Sequence, residues 1–276
     1  MPVQKFSYVL PDPVSYATWA ELEGDLACVK NAGYDAAELQ IADPADLDVE
    51  RLGRALQAAG LPLCAFQSGG TYASRGNCLS TANEAVRTRT IQVIERHIDF
   101  AATFGPAVAG HARIVLGSLQ GARREEPDYD AGEARIAAAL AHVARRATER
   151  GVTIAFEPVC HGEIGWHNTI ASAAGLVRRI DQPGLRLMVD SYHMNIEERD
   201  LLGPLPGIAD LLAHVHLSET NRDVLGEGRW QTGEFLRALE GIGYAGFCSV
   251  GVYNTRRPRR ECIARCMSVL RNLNAK

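Results

Sequence analysis

The 276-residue chain has no Cys-x-x-Cys pair, no excess of basic residues and no apolar run long enough to cross a bilayer. Each absence removes a class. The seven cysteines (Cys28, Cys64, Cys78, Cys160, Cys248, Cys262, Cys266) are odd in number and scattered. That argues against a disulfide framework or a zinc ribbon and for a reducing, cytoplasmic compartment. Cys262 and Cys266, four apart in a helical pattern, read as small buried side chains. Lys and Arg total 29 against 33 Asp and Glu, a net charge of −4, so the positive field needed to neutralise phosphates is lacking and nucleic acid is not expected as a partner. The most apolar window, Phe100 to Gly110, is too short for a span and contains Gly105 and Pro106, so no membrane contact is expected. The amino terminus lacks a basic region followed by a long apolar stretch, which predicts no secretion signal. No linker rich in Pro, Gly or Ser divides the chain, and a single domain over residues 1–276 is expected. No Gly-x-Gly-x-x-Gly follows the first β-rich run, which disfavours an open dinucleotide-binding sheet.

What is present is a composition that can build a core, 46% hydrophobic and 22% charged, arranged as short β-rich runs alternating with longer helical ones. Eight candidate strands lie near Phe6–Leu10, Ala36–Ile41, Leu61–Gln67, Arg113–Gly117, Thr153–Glu157, Arg186–Asp190, Ala213–Leu217 and Phe247–Val252. Glycines after Ala32, Ala59 and Arg150, and the Gly241-Ile242-Gly243 stretch, stop helical segments just before a strand. The longest helices are expected near Asn83–Phe104 and Gly132–Arg150. The alternation predicts an α/β protein built as a single (β/α)8 TIM barrel.

In such a barrel, catalytic groups sit where strands end at the carboxyl face. Strand five ends in Ile154-Ala155-Phe156-Glu157, strand six in Leu187-Met188-Val189-Asp190, and strand seven reads His214-Val215-His216. A carboxylate closing an apolar strand is costly to desolvate unless it meets a cation. Strand alternation puts His214 and His216 on one side, with His216 nearer the carboxyl end. Glu157, Asp190 and His216 therefore form a candidate ligand set for a divalent ion, Mn²⁺ first, with Mg²⁺ or Co²⁺ as alternatives.

Asp190-Ser191-Tyr192-His193-Met194-Asn195-Ile196-Glu197-Glu198 resembles the Asp-Thr-Phe-His-Met-Asn-Ile-Glu-Glu segment of the xylose-isomerase-like barrels, and within them of the D-tagatose 3-epimerase group of sugar phosphate isomerases/epimerases. His214-Val215-His216 followed by Glu219-Thr220-Asn221-Arg222, Gly226-Glu227-Gly228 and Trp230 is similar to the same group, as is the spacing of Glu157, Glu163 and Asn168. The resemblance implies a metal-dependent isomerase or epimerase of a keto sugar or related polyol. It also implies that Glu157 binds metal and moves the proton through an enediolate, while Glu163, His193 and Arg222 hold the sugar. Homo-oligomerisation stays open.

Two positions depart from the pattern. Gly251 stands where the group has a fourth ligand glutamate, which is also its second acid/base. The glycine is expected to leave room for a bulkier substrate. It keeps open a lyase eliminating a group next to a ketone, including cleavage of C- or O-glycosides, and a catalytically impaired or engineered sugar-binding barrel. Cys160-His161-Gly162 replaces an Asn-Arg-aromatic stretch. Trp19, Phe66, Gln67, Tyr72, Trp166 and His167 are candidates for either the substrate mouth or packing. His97, His111 and His142 fall outside the proposed site, and Arg256-Arg257-Pro258-Arg259-Arg260 reads as a solvated basic surface.

Overall fold

The computed structural model describes residues 4–104 and 112–274; Met1 to Val3, His111 and the Gly105–Gly110 part of the apolar window lie outside them. The strands are β1 (Lys5–Leu10), β2 (Ala36–Gln40), β3 (Leu63–Gln67), β4 (Arg113–Leu116), β5 (Thr153–Phe156), β6 (Leu185–Asp190), β7 (Leu212–Leu217) and β8 (Phe247–Val250). The helices are α1 (Trp19–Ala32), α2 (Val49–Ala59), α3 (Gly70–Arg75), α4 (Glu84–Thr103), α5 (Tyr129–Glu149), α6 (Ile170–Ile180), α7 (Ser191–Glu197), α8 (Thr232–Gly241) and α9 (Arg259–Asn274). The strands pair in parallel, each with the next and β8 with β1, into a closed barrel. This is the expected (β/α)8 fold. Among the described residues no helix is long and apolar enough to cross a membrane.

Strand alternation sorts the side chains into two cores. Outward residues such as Leu39, Val189, Val215 and Val250 join the large core under the helices. Ala36, Cys64, Ala65, Val115, Ala155, Met188 and Phe247 form a small apolar layer of their own. Two residues further along, on the same side of each strand, stand Glu38, Gln67, Gly117, Glu157, Asp190 and Ser249. The period of two thus lifts a polar layer onto an apolar one at the carboxyl mouth.

Capping explains several boundaries. Thr18, Asp48, Asn83, Asp128 and Thr169 each accept a backbone N–H in the first turn of the helix that follows. Gly33 and Gly60, with φ of 98° and 58°, end α1 and α2 in the left-handed region. Cys262 and Cys266 are buried and free, as expected.

The basic cluster at residues 256–260 is not simply solvated. Buried Asp25 of α1 accepts from Arg259 Nη1 at 2.5 Å and Arg260 Nε at 2.8 Å, and Arg257 pairs with Asp223 and Glu227. These pairs fasten α9 to α1 and to the loop after β7. The surface reading holds, since Arg256, Arg259 and Arg260 are exposed, but it did not foresee these pairs, whose partners lie far away in sequence.

A second buried carboxylate, Asp43, accepts from Ala45 N–H at 3.1 Å, from Arg96 at 2.8 and 2.6 Å, and from Arg75 at 3.1 Å. Burial pushes its carboxyl up, but the hydrogen bonds from Arg96 and the Ala45 amide outweigh it and leave the group below its ordinary range. The stability it contributes is therefore present above the ordinary aspartate range and is lost as pH falls through the lowered value. Asp43→Asn should cost about 2 kcal/mol near neutrality, since hydrogen bonds to a charged group contribute about 1.5–3 kcal/mol, and the deficit should shrink in acid. Urea unfolding at the two pH values checks this; equal stability of variant and parent near neutrality would show that the pairs contribute nothing net.

Candidate active site

The carboxyl ends of the strands surround a cavity of about 240 Å³ lined by Glu157, Glu163, Asp190, His193, His216, Arg222, Gln67 and Tyr253, among others. The residues named from the sequence as metal ligands or sugar holders, Glu157, Asp190, His216, Glu163, His193 and Arg222, are all on this wall. A larger cavity of about 880 Å³ lies between α2 and the end of α4, remote from this cluster; we place the chemistry where the ionisable groups converge.

Glu157, Asp190 and His216 are each less than a tenth exposed. His216 Nδ1 lies 3.6 Å from Asp190 Oδ2 and 3.9 Å from Glu157 Oε1. His193 Nε2 lies 3.9 Å from the same Glu157 oxygen. One potential ligand atom from each of Glu157, Asp190 and His193 falls within 4.8 Å of the others. Asp190 divides its oxygens: Oδ1 accepts from Tyr192 N–H at 2.8 Å and starts α7, whereas Oδ2 faces His216. Gly117 makes room for Glu157, because a Cβ there would run into the Glu157 carboxylate and Val159.

The two carboxylates are driven apart. Burial raises both, but for Asp190 the close approach of His216 and the charges of His193, His216 and Arg222 prevail and hold it below its ordinary range. For Glu157 burial prevails over His193 and His216, and its carboxyl is raised. A carboxylate shifted upward is a stronger base, so the environment makes Glu157 the proton acceptor of the two.

Arg222 reaches over this pair from the loop after β7. Its guanidinium carbon lies 3.9 Å from the centroid of Tyr192 and 5.1 Å from that of Tyr253. Nη2 is 3.1 Å from His193 Nε2 and 3.4 Å from Glu163 Oε1. Its Nε is buried with no hydrogen-bond partner among the described residues. The backbone that presents it is unusual, with φ of +57°. The loop is pinned by buried Glu219, which accepts from Thr220, Gly226 and Trp230 N–H groups at 3.2, 2.8 and 3.2 Å.

Sequence reasoning missed Glu38. This wholly buried residue of β2 accepts from His214 Nε2 at 2.7 Å, His216 Nε2 at 2.9 Å and Gln67 Nε2 at 3.1 Å. The signal was available, since an acid inside Ala36-Ala37-Glu38-Leu39 has the same signature as Glu157 and Asp190. Glu38 fixes the tautomer and direction of His216, turning Nδ1 toward the two site carboxylates. His214 is engaged with Glu38 and Ser249.

Glu197 and Glu198 hold the loop after β5. Glu197 accepts from His161 N–H at 2.6 Å and from Asn168, and Glu198 from Ile170 N–H at 2.7 Å. Of the aromatic and polar candidates, Gln67 reaches the cavity wall. Trp166 is buried beneath Arg123, Phe66 packs on His97, and Trp19 lies under Arg51. Tyr72 bonds Glu125 and Ala122 N–H, and His167 bonds Ser172. His97 bonds the carbonyls of Val93 and Ile41 and His142 pairs with Glu95, both away from the site.

Gly251 corrects an expectation. Ser249 points inward to Ser7 and His214, so residue 251, two further on, also faces inward. The space is not spare, however: a Cβ at 251 would lie 2.5 Å from Tyr253 Cε2 and 2.9 Å from its hydroxyl. Tyr253 has folded back into the room expected for a larger substrate.

Comparison with known proteins agrees with this architecture. A family model described as "Xylose isomerase-like TIM barrel" matches residues 26–273. The chain is 32% identical over 219 residues to a ketose 3-epimerase from Arthrobacter globiformis, covering 79% of this chain and 72% of that protein. It is 32% identical over 227 residues to an L-ribulose 3-epimerase from Mesorhizobium japonicum, covering 82% and 73%. A solved L-ribulose 3-epimerase structure superposes with a TM-score of 0.83 at 25% identity, covering 98% of this chain and 94% of that one. The chain belongs to the xylose isomerase-like TIM barrel family, in which it stands beside the ketose 3-epimerases.

Proposed function

We propose that this protein is a divalent-metal-dependent epimerase of a ketose, acting at the carbon next to the carbonyl through an enediolate. The observation that carries the reading is the convergence of Glu157, Asp190 and a His216 oriented by Glu38 at one barrel mouth, in a chain 32% identical to ketose 3-epimerases. The donor set fits a hard divalent ion: His216 Nδ1 lies 3.6 Å from Asp190 Oδ2 and 3.9 Å from Glu157 Oε1, and Glu38 holds His216 from behind. Glu157, Asp190 and His216 would hold the ion, with Mn²⁺ the first candidate and Mg²⁺ or Co²⁺ the others. When bound, it would polarise the ketone and stabilise the negative charge that develops on its oxygen.

The remaining steps belong to the side chains. Glu157 takes the proton from the carbon beside the carbonyl. The unpartnered Nε of Arg222 offers a donor to a sugar oxygen, and Glu163 and His193 flank the same space. Burial of His216 works against its charged form, but Glu38, Asp190 and Glu157 overcome this and push its pKa well above the ordinary range. A cation and the imidazolium proton would therefore compete for the same carboxylates, and metal uptake should release a proton. Seven free cysteines accord with a reducing, cytoplasmic setting.

Asp190→Ala supplies the test of the ligand set. The parent should retain about one divalent ion per chain after gel filtration with Mn²⁺ and should move solvent deuterium into a ketose, whereas the variant should lose most of the metal. Equal metal content in variant and parent removes Asp190 from the site. A parent that neither holds metal nor exchanges protons with any of D-fructose, D-psicose and L-ribulose refutes the proposed function.

A further inference from the structure

We infer that Tyr253 is the proton donor on the face of the enediolate opposite Glu157, and that Gly251 exists in this chain to let it stand there. The inference rests on the epimerase reading above. Inverting a carbon through an enediolate requires one group to remove a proton from one face and another to deliver a proton to the other. Glu157 serves the β5 side. The second group must come from across the mouth, and β8 is three strands away from β5 in the ring of eight.

Tyr253 follows β8 and lines the same cavity as Glu157, Asp190 and His216. Its hydroxyl is 2.9 Å from Gln67 Nε2, and the direction of that hydrogen bond can be assigned. The same Gln67 nitrogen lies 3.1 Å from Glu38 Oε1, and both oxygens of Glu38 already accept from imidazole nitrogens, His214 on one and His216 on the other. Gln67 must therefore present its NH₂ group to this side, giving one hydrogen to Glu38 and the other to Tyr253. The phenol oxygen is thus an acceptor from Gln67, and its own proton has no acceptor among the described residues. That proton is left for whatever occupies the cavity.

The backbone holds the ring in place. Arg222 carbonyl oxygen accepts from both Tyr253 N–H and Asn254 N–H at 2.9 Å, so one left-handed residue positions the guanidinium and the phenol together. Gly251 completes the arrangement, because any Cβ there meets the ring at 2.5 Å.

The proton balance closes. Glu157 carboxylate accepts the C3 proton as its C–H bond breaks and the electron pair moves into the enediolate. Tyr253 O–H breaks, its proton forms the new C–H bond on the far face, and a tyrosinate remains. Protonated Glu157 then loses its proton to water and the tyrosinate regains one from water, so no other reactant is consumed.

Tyr253→Phe keeps the ring and removes the donor. In D₂O with Mn²⁺, the parent should convert a ketose into its C3 epimer with deuterium at C3. The variant should form the epimer at least about 100-fold more slowly, the loss expected when a general acid is removed, while recovered starting ketose still gains deuterium through Glu157. Gly251→Ala should reproduce this pattern by displacing the ring, and combining it with Tyr253→Phe should add little. Epimerisation by Tyr253→Phe within a few-fold of the parent overturns the inference, and so does loss of exchange and inversion together, which would assign Tyr253 to binding or to the first step. A parent that exchanges C3 hydrogen without inverting it also overturns the inference while leaving Glu157 chemistry intact; a parent that exchanges nothing defeats the epimerase reading itself.

Discussion

Glu157→Gln is expected to lower turnover by about 100-fold or more, the scale on which a positioned general base contributes. The amide keeps the size of the side chain and can still offer an oxygen toward a cation, but it cannot take a proton. Three features make the loss large. The carboxyl is buried and raised, so its basicity depends on its setting. It approaches His216 and His193, both at 3.9 Å, which orient it without bonding tightly to the oxygen that must act. Finally, Gly117 leaves no side chain between it and the cavity wall. Deuterium incorporation into a ketose, with metal content measured on the same sample, checks the outcome. Full metal with lost exchange assigns the base to Glu157; retention of most of the activity would move the role to His193 or Glu163.

Glu38→Gln should be as consequential, although the residue touches no substrate. Burial alone would push its carboxyl up, but the imidazoles of His216 and His214 draw it well below the ordinary range. The amide would replace an acceptor for two imidazoles and one amide with a group that cannot serve all three. Breaking a buried charged pair costs about 3–5 kcal/mol, and removing the partner behind a metal-ligating histidine costs about 10–100-fold in affinity.

The sign of the pH dependence follows from two opposite shifts. The depressed Glu38 contributes stability present above the ordinary glutamate range and lost as pH falls through its lowered value. The raised His216 contributes stability fully present below the ordinary histidine range and lost as pH rises through its raised value. Glu38→Gln should diminish both. Denaturant unfolding across pH, with Mn²⁺ titration near neutrality, measures the two effects; unchanged stability and unchanged metal affinity would reduce Glu38 to a bystander.

The fold was legible because the physics that makes it is local. A period of two in the strands, a longer period in the helices and glycines such as Gly33 and Gly60 at left-handed stops are written in adjacent residues. The acids at strand ends were legible for the same reason: Glu157 and Asp190 each interrupt an apolar run. What escaped was set by pairing across the barrel. Glu38 interrupts an apolar run as those acids do, but its role depends on His214 and His216, 176 and 178 residues away, and nothing near β2 announces them. Tyr253 escaped because its meaning depends on the emptiness of Gly251, which the sequence shows only as a missing carboxylate. Arg259 and Arg260 are exposed as the sequence suggests, but their pairing with Asp25 escaped because that residue is more than two hundred positions away.

The double duty of Asp190 explains why the two site carboxylates differ in length. The strand ends at this residue and α7 begins at the next, so its side chain must bend back to the Tyr192 amide while one oxygen still faces His216. Aspartate is short enough to close that turn, and it ranks among the best helix-capping residues for this reason. A glutamate would gain reach toward the cavity and forfeit the cap, loosening the helix that carries His193. Glu157 follows a strand that runs into a loop, with no helix to start, and can extend its carboxylate by one more methylene toward the reacting carbon. The lengths are therefore not interchangeable: combining Glu157→Asp with Asp190→Glu would preserve charge and donor count while misplacing both the base and the helix.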